Sequence, residues 1–190
     1  MMYTWEEIEN FVNHCRRCPL AEIRTNAVMG KGSHNAQIMF IGEAPGAQED
    51  LVGIPFVGPA GQLFDKLLNE CGLRRHDVYV TNIVKCRPTN NRDPRENEKE
   101  RCFPYLCYET TLLKPKIIVC LGRVAATKLI DPNYKITQMH GQWIERKGYY
   151  LTSTYHPSAV LRDPTKMDAA KNDFRIIVDK LNEINHHDNA

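Results

Sequence analysis

The sequence has no hydrophobic run that approaches the roughly 18 residues a membrane-spanning helix needs. The segment Met1 to Glu7 contains neither a basic region nor an apolar core, so it does not resemble a secretory signal. Internal repeats and low-complexity tracts are also missing, which excludes collagen-like and fibrous chains. These absences favour a globular, intracellular protein of the cytoplasm that has no membrane partner.

An excess of charge of one sign is also missing, because 25 Lys and Arg residues face 23 Asp and Glu residues and the net charge is only +2. Any basic surface for nucleic acid must therefore be local. Hydrophobic residues make up 42% and charged residues 25% of the chain, as in ordinary globular proteins. A chain of 190 residues builds one sizeable core but not two, so we expect a single domain over residues 1–190.

Short apolar runs alternate with helical patterns along the chain. Residues 37–42, 78–84 and 117–122 are predicted to be buried strands. Residues 143–146 and 149–154 flank Lys147-Gly148, a pattern typical of a tight hairpin, and residues 149–154 are the fourth strand. Strands that alternate with helices form a mostly parallel sheet with helices on both faces.

Ligands of such sheets bind at the carboxyl ends of the strands. The loops after Ile41, Ile83 and Thr154 are therefore where we expect the functional site. In the second of these loops Asp93 precedes Pro94, and this order predicts that Asp93 caps the helix that follows.

Seven cysteines in a chain expected inside the cell argue against a disulfide framework and for metal or cluster ligation by some of them. Cys15 and Cys18 are separated by two residues in a predicted turn, a spacing that lets two thiolates converge. Cys86 opens the loop after the second strand, and the next helix offers Cys102 or Cys107 as a fourth ligand. The spacing decides neither between these two nor between zinc and an iron–sulfur cluster. The remaining cysteines lie on apolar faces and are predicted to be core residues: Cys71 and Cys120.

Three short motifs follow the predicted strands. They are Gly42-Glu43-Ala44-Pro45-Gly46, then Asn82 with Lys85-Cys86-Arg87-Pro88, then Tyr155-His156-Pro157-Ser158. In this order, and with the cysteines, the chain resembles the iron–sulfur (family-four) branch of the uracil-DNA glycosylase superfamily over roughly residues 4 to 185. The resemblance implies a three-layer α/β/α sandwich with a central, mostly parallel four-stranded sheet, and an enzyme that removes uracil from DNA.

The resemblance also implies a [4Fe–4S] cluster. Its ligands would be Cys15, Cys18, Cys86 and Cys102, so the resemblance favours Cys102 over Cys107. We expect the cluster to be structural, because it ties the N-terminal turn to the loop and helix that carry basic residues.

The residues expected to bind uracil come from the strand-end motifs and the loop between them: Gly42, Glu43, Ala44, Phe56, Asn82 and His156. A base must rotate out of the duplex to enter such a pocket. Phe56 lies in a loop flanked by Pro and Gly and is expected to stack on the base, the alternative being a core phenylalanine. The Asn82 amide matches the polar edge of uracil and opposes that of cytosine, the alternative being a turn or cap asparagine.

Breaking the glycosidic bond places negative charge on the leaving uracil and positive charge on the sugar. His156 and backbone N–H groups of the Gly42 loop are expected to donate to the uracil oxygen. Glu43 and Glu49 are the candidate carboxylates for activating water, and Glu49 is alternatively a guard that excludes the methyl group of thymine. The best-known branch of the superfamily has an aspartate where this sequence has Ala44, which leaves the water-activating group open.

The expected DNA contacts are Lys85, Arg87, Arg92 and Arg162. The expected partner is uracil-containing DNA, single- or double-stranded, and the protein is expected to be a monomer. Because no lysine nucleophile stands at a strand end, we expect base release that leaves an abasic site without strand cleavage. One alternative is a uracil-DNA binding protein that traps its product, although the loop of residues 85–92 lacks the histidine this requires. The other is a zinc- or cluster-bearing structural module without activity.

Overall fold

The part of the chain that the computed structural model describes, residues 3–188, contains one sheet of six strands. The strands are β1 (Lys31–Gly32), β2 (Ile38–Gly42), β3 (Tyr79–Asn82), β4 (Ile117–Leu121), β5 (Ile144–Arg146) and β6 (Tyr149–Thr154). The helices of the same range are α1 (Trp5–Asn13), α2 (Leu20–Ile23), α3 (Ala47–Val52), α4 (Pro59–Glu70), α5 (Glu96–Leu113), α6 (Arg123–Leu129), α7 (Ile136–Met139), α8 (Pro157–Arg162) and α9 (Met167–Asp188).

The strand order is β1-β3-β2-β4-β6-β5, so the prediction of a four-stranded sheet is wrong. The four inner strands pair in parallel and correspond to the four predicted apolar runs. The two additional strands pair antiparallel at the edges. β1 has two residues and β5 has three, and neither has a buried residue, so neither carries the apolar run that marks an inner strand.

Side chains of the inner strands alternate between two faces, as the pleat requires. In β2, Ile38 and Phe40 belong to one apolar cluster, and Met39 and Ile41 belong to the other. The first cluster is completed by side chains of α4, α8 and α9, and the second by side chains of α1, α5 and α6. Helices therefore cover both faces of the sheet, which leaves its carboxyl edge as the place where loops converge.

The start of α5 differs from the predicted start. The N-cap is Arg95, and the carboxylate of Glu98 accepts a hydrogen bond from the backbone N–H of Arg95 at 2.7 Å. The prediction that Asp93 caps this helix is therefore wrong, and Asp93 lies in the loop before it. None of the helices within residues 3–188 has the length and apolar character needed to cross a membrane.

Candidate active site at the carboxyl ends of the strands

A pocket of about 430 Å³ opens at the carboxyl edge of the sheet, where β2, β3, β4 and β6 all end. Parallel pairing brings these four ends together, although they are distant in the sequence. Six of the residues predicted to bind uracil or to act in catalysis line the pocket: Glu43, Ala44, Glu49, Phe56, Asn82 and His156. The structure therefore gathers the residues of all three strand-end motifs around one cavity.

Gly42 lies behind the lining and brings two of these side chains close together. It is opposite Asn82 in the pairing of β2 with β3. A Cβ atom at Gly42 would lie 2.4 Å from Oδ1 of Asn82 and 2.7 Å from Cζ of Phe56. Both distances are shorter than van der Waals contact allows, so only glycine fits between the two side chains.

Only 2% of the Asn82 residue is exposed, and its amide oxygen Oδ1 has no hydrogen-bond partner among residues 3–188. A buried polar atom without a partner is uncommon, because it loses its hydration without compensation. Asn82 also lines the pocket. The oxygen is therefore available to a donor group on a ligand.

Phe56 forms another wall of the pocket in a strained backbone conformation. Its φ angle is 57°, in the left-handed region that non-glycine residues seldom adopt. The ring is 5.7 Å from the His156 ring and 5.4 Å from the Phe64 ring, measured between centroids. The surrounding loop must hold this conformation, since it is unfavourable by itself.

Glu49 supplies part of that restraint. Its Oε1 atom accepts hydrogen bonds from the backbone N–H groups of Val57 at 2.9 Å and Gly58 at 2.8 Å. Its Oε2 atom accepts one from the N–H of Gly46 at 3.1 Å. The carboxylate thus joins two pocket loops and fixes the backbone directly after Phe56.

His156 is the N-cap of α8, and Pro157 occupies the first position of that helix. The Nδ1 atom accepts a hydrogen bond from the backbone N–H of Ser158 at 3.1 Å. A backbone N–H can only donate, so Nδ1 carries no proton and the neutral imidazole has its proton on Nε2. Burial, together with the positive charge of Arg162, lowers the pKa of His156 to about 4. The ring is therefore a neutral donor near pH 7.

Glu43 is the second pocket residue with a shifted pKa. Burial raises the pKa of this carboxyl to about 7, and the negative charge of Asp93 and a hydrogen bond with it act in the same direction. The positive charges of Arg123 and Arg162 partly oppose this shift. Asp93 also lines the pocket, although it is not among the predicted site residues. Its position beside Pro94 in sequence indicated a helix cap, and nothing local marked it as a neighbour of Glu43.

The four predicted DNA contacts have different environments. Arg162 is exposed at the pocket and forms no ion pair with the described residues. Arg92 also lines the pocket, but its guanidinium makes two hydrogen bonds to Glu98, at 2.9 and 2.6 Å. Arg87 is partly exposed outside the pocket and donates to Oδ1 of Asn91 at 2.8 Å.

Lys85 is not at the surface, because only 1% of the residue is exposed. Its ammonium donates to Oε2 of Glu109 at 2.5 Å, to Oγ1 of Thr81 at 2.6 Å and to the main-chain oxygen of Asn82 at 2.9 Å. All three N–H donors are thereby used inside the protein. The structure therefore does not present Lys85 to a DNA backbone.

A second, small cavity is lined by four cysteines of the seven: Cys15, Cys18, Cys86 and Cys102. Two donors point at their sulfur atoms, the guanidinium of Arg24 at 3.0 Å from Sγ of Cys86 and the backbone N–H of Lys85 at 3.2 Å from Sγ of Cys102. Cys107 is exposed and does not line this cavity. Within residues 3–188 no three Cys, His, Asp or Glu side chains have the mutual distances of a single-ion site.

A mostly parallel sheet with a strand-end pocket that combines an aromatic ring, an amide and a neutral imidazole is typical of α/β proteins with a site for a planar heterocycle. Residues 29–182 match the sequence model of the uracil DNA glycosylase superfamily. The chain belongs to this superfamily, as its motifs predicted, and its relatives place it in the type-4 branch.

Three type-4 uracil-DNA glycosylases illustrate the similarity. The protein of Archaeoglobus fulgidus is 44% identical over 184 residues, which cover 93% of this chain and 92% of the relative. That of Saccharolobus solfataricus is 44% identical over 183 residues, covering 92% and 85%. That of Thermotoga maritima is 43% identical over 168 residues, covering 85% and 88%.

The restraint on the Phe56 loop yields a first prediction. Replacing Glu49 with Ala leaves three backbone N–H groups without their acceptor, so we expect the free energy of unfolding to fall by about 1–3 kcal/mol. We also expect weaker binding of free uracil, since Phe56 is no longer held. Denaturant unfolding and uracil titration measure the two effects.

The matched control is Glu70→Ala, which removes an ion pair with Lys171 at the protein surface and should leave both quantities nearly unchanged. A Glu49→Ala variant with unchanged stability and uracil binding but a collapsed reaction rate would show instead that Glu49 takes part in the chemistry.

Proposed function

We propose that this chain is a monofunctional uracil-DNA glycosylase, which flips uracil out of DNA, hydrolyses its N-glycosidic bond and leaves an abasic site without strand cleavage. The observation that carries the proposal is the buried, unpartnered Oδ1 of Asn82 in a pocket beside Phe56 and His156. Membership of the superfamily supports the same reaction, because type-4 relatives along nearly the whole chain are named as uracil-DNA glycosylases.

Asn82 selects the base by the polarity of its amide. Uracil has an N–H group at position 3, which would donate to the free Oδ1 atom, and a carbonyl at position 4, which would accept from the amide nitrogen. Cytosine has an unprotonated nitrogen and an amino group at these positions, so both contacts would become unfavourable. Sites that leave buried polar groups unpaired with the wrong substrate discriminate by about 10⁴-fold or more.

Phe56 and His156 would make the remaining contacts with the base. The Phe56 ring would stack on the flipped uracil, an interaction worth about 1–3 kcal/mol per base. The Nε2–H group of His156 would donate to the carbonyl oxygen that gains negative charge as uracil leaves. A preorganised neutral donor aimed at developing charge typically lowers a barrier by about 3–4 kcal/mol. The hydrogen bond from Ser158 fixes the tautomer that this role requires.

Glu43 is the better candidate for activating water. Its raised pKa favours proton acceptance near neutral pH, and its carboxyl lines the pocket. Glu49, in contrast, already accepts three backbone hydrogen bonds and acts as a positioning residue for the Phe56 loop.

DNA is expected to approach the pocket across its basic rim. Arg162 is the strongest candidate for a phosphate contact, because it is exposed and no direct salt bridge within the described residues engages it. Arg92 is held by the buried carboxylate of Glu98, so it presents an oriented guanidinium whose charge is largely compensated. Arg87 extends the same rim. A monomeric state, a cytoplasmic location and action on single- or double-stranded DNA remain predictions.

The four cysteines of the second cavity fit a [4Fe–4S] cluster, which takes one thiolate on each of four irons. The donors from Arg24 and Lys85 suit thiolate sulfur, because N–H groups stabilise the negative charge of cluster ligands. When bound, the cluster would supply a cross-link between the N-terminal turn, the loop after β3 and α5. Hydrolysis of the glycosidic bond needs no electron transfer, so the reaction uses the other pocket alone.

Two alternatives carry less support. Covalent trapping of the product requires a histidine that the loop of residues 85–92 does not contain. An inactive structural module would leave the gathering of Phe56, Asn82 and His156 without a reason.

The direct test is incubation of the protein with oligonucleotides that carry uracil, thymine or cytosine, followed by alkaline cleavage of abasic sites. We expect wild-type protein to act on uracil alone. Asn82→Asp should lose uracil excision by orders of magnitude, because a carboxylate does not donate to the carbonyl at position 4. An Asn82→Asp variant with wild-type uracil activity would remove Asn82 from base recognition, and a wild-type protein without activity would refute the proposal.

The pH dependence separates the two titrating groups of the pocket. Glu43 must be ionised to accept a proton, so the single-turnover rate should fall about tenfold per pH unit below its pKa of about 7. His156 acts as a neutral donor, and with a pKa of about 4 it should add no second limb between pH 5 and 8. The Glu43→Gln variant should be slow and lack the limb near pH 7. A wild-type rate that stays flat across this range would exclude Glu43 as the base.

Cluster ligation is tested with two cysteines of the same helix. Cys102→Ser should lose bound iron and visible absorption and should unfold at a lower temperature. Cys107→Ser, the matched control, should keep the iron content of the wild type, since Cys107 is exposed and outside the cavity. Iron analysis and absorption spectra measure the bound cluster. A loss of iron in Cys107→Ser alone would show that Cys107, and not Cys102, is the fourth ligand.

A further inference from the structure

The loop residue Lys85 is part of a fully buried polar cluster that the pocket does not include. Its partner Glu109 is completely buried on α5. Oε1 of Glu109 accepts hydrogen bonds from the N–H of Gly30 at 2.9 Å and from the hydroxyl of Tyr79 at 3.1 Å. Thr81 donates to the same carboxylate at 3.1 Å. A charged pair with every donor and acceptor engaged holds its neighbours in a single geometry.

The cluster reaches the pocket through the backbone of Asn82. The ammonium of Lys85 donates to the main-chain oxygen of Asn82, while the next backbone N–H, that of Ile83, donates to the oxygen of Gly42 at 2.9 Å. The peptide that follows Asn82 is therefore fixed on both sides.

Backbone restraint matters at this position because no hydrogen bond to a protein group fixes the oxygen of the side-chain amide. Oδ1 of Asn82 has no hydrogen-bond partner within residues 3–188. Where the amide points then depends on where the backbone places Cα and on contact with Gly42 and Phe56.

We propose that Lys85 and Glu109 form a positioning pair, which holds the backbone of Asn82 where its amide can recognise the base. The inference rests on the proposed function and deepens it, since it makes selectivity for uracil depend on two residues that never touch the base. The pair also adjoins the second cavity, because the N–H of Lys85 donates to Sγ of Cys102. Cys102 and Glu109 are seven residues apart, two turns of α5, so the helix contacts the end of β3 and the following loop at two points of one face.

The decisive variant is the double substitution Lys85→Met with Glu109→Gln, which removes both charges and leaves neither buried alone. We expect its single-turnover rate on uracil to fall by about 100-fold, a loss that a misplacement of about 1 Å can cause. Selectivity for uracil over cytosine should fall as well, while affinity for DNA without uracil stays at the wild-type value. Single Lys85→Met and Glu109→Gln variants should show the same loss with lower stability.

Two readouts separate positioning from stability alone. Iron content and thermal unfolding identify variants that fail to fold or to bind the cluster. The matched control is Lys99→Met, which breaks an ion pair with Glu96 on the same helix. Amide hydrogen exchange of residues 79–86 should be faster in the double variant and unchanged in Lys99→Met.

A folded double variant with wild-type exchange, rate and selectivity overturns the inference. If the wild-type protein releases no uracil, the proposed function fails, and the exchange of residues 79–86 still decides whether the pair positions Asn82.

Discussion

The parallel pairing of β2 with β3 places Gly42 opposite Asn82, and the arrangement of the pocket depends on that register. Because Gly42 has no Cβ atom, the Asn82 amide and the Phe56 ring both approach its backbone. The residue with the strained backbone, Phe56, and the unpartnered oxygen of Asn82 therefore lie side by side. A slip of one residue would turn Asn82 to the opposite face of the sheet and remove the amide from the pocket.

The carboxylates around the site have different roles, and the hydrogen bonds of each one indicate its role. Glu49 accepts three backbone N–H groups, Glu98 holds Arg92 and the start of α5, and Glu109 holds Lys85. Each of these three has its oxygens engaged by donors. Glu43 has a raised pKa because it is buried, and the negative charge of Asp93 acts in the same direction. The site thus keeps one carboxyl group chemically responsive among several that are structural.

The sequence predicted the inner strands and the strand-end motifs because both are local patterns: apolar runs bounded by turns, and short polar signatures after them. It did not predict β1, whose two residues carry no periodic signal. The local excess of basic residues predicts that Lys85 contacts DNA, whereas its burial depends on Glu109, 24 positions away in sequence. The proximity of Asp93 to Glu43 likewise depends on the tertiary structure, because the two residues are far apart in the sequence.

The seven-residue interval between Cys102 and Glu109 makes α5 intolerant of insertions and deletions between these two residues. Inserting or deleting one residue between them would rotate one side chain by about 100° relative to the other around the axis of α5. Either the thiol or the carboxylate would then face away from the end of β3 and its loop. Length changes are therefore expected in surface loops such as the Lys147–Gly148 turn, and not within this part of the helix.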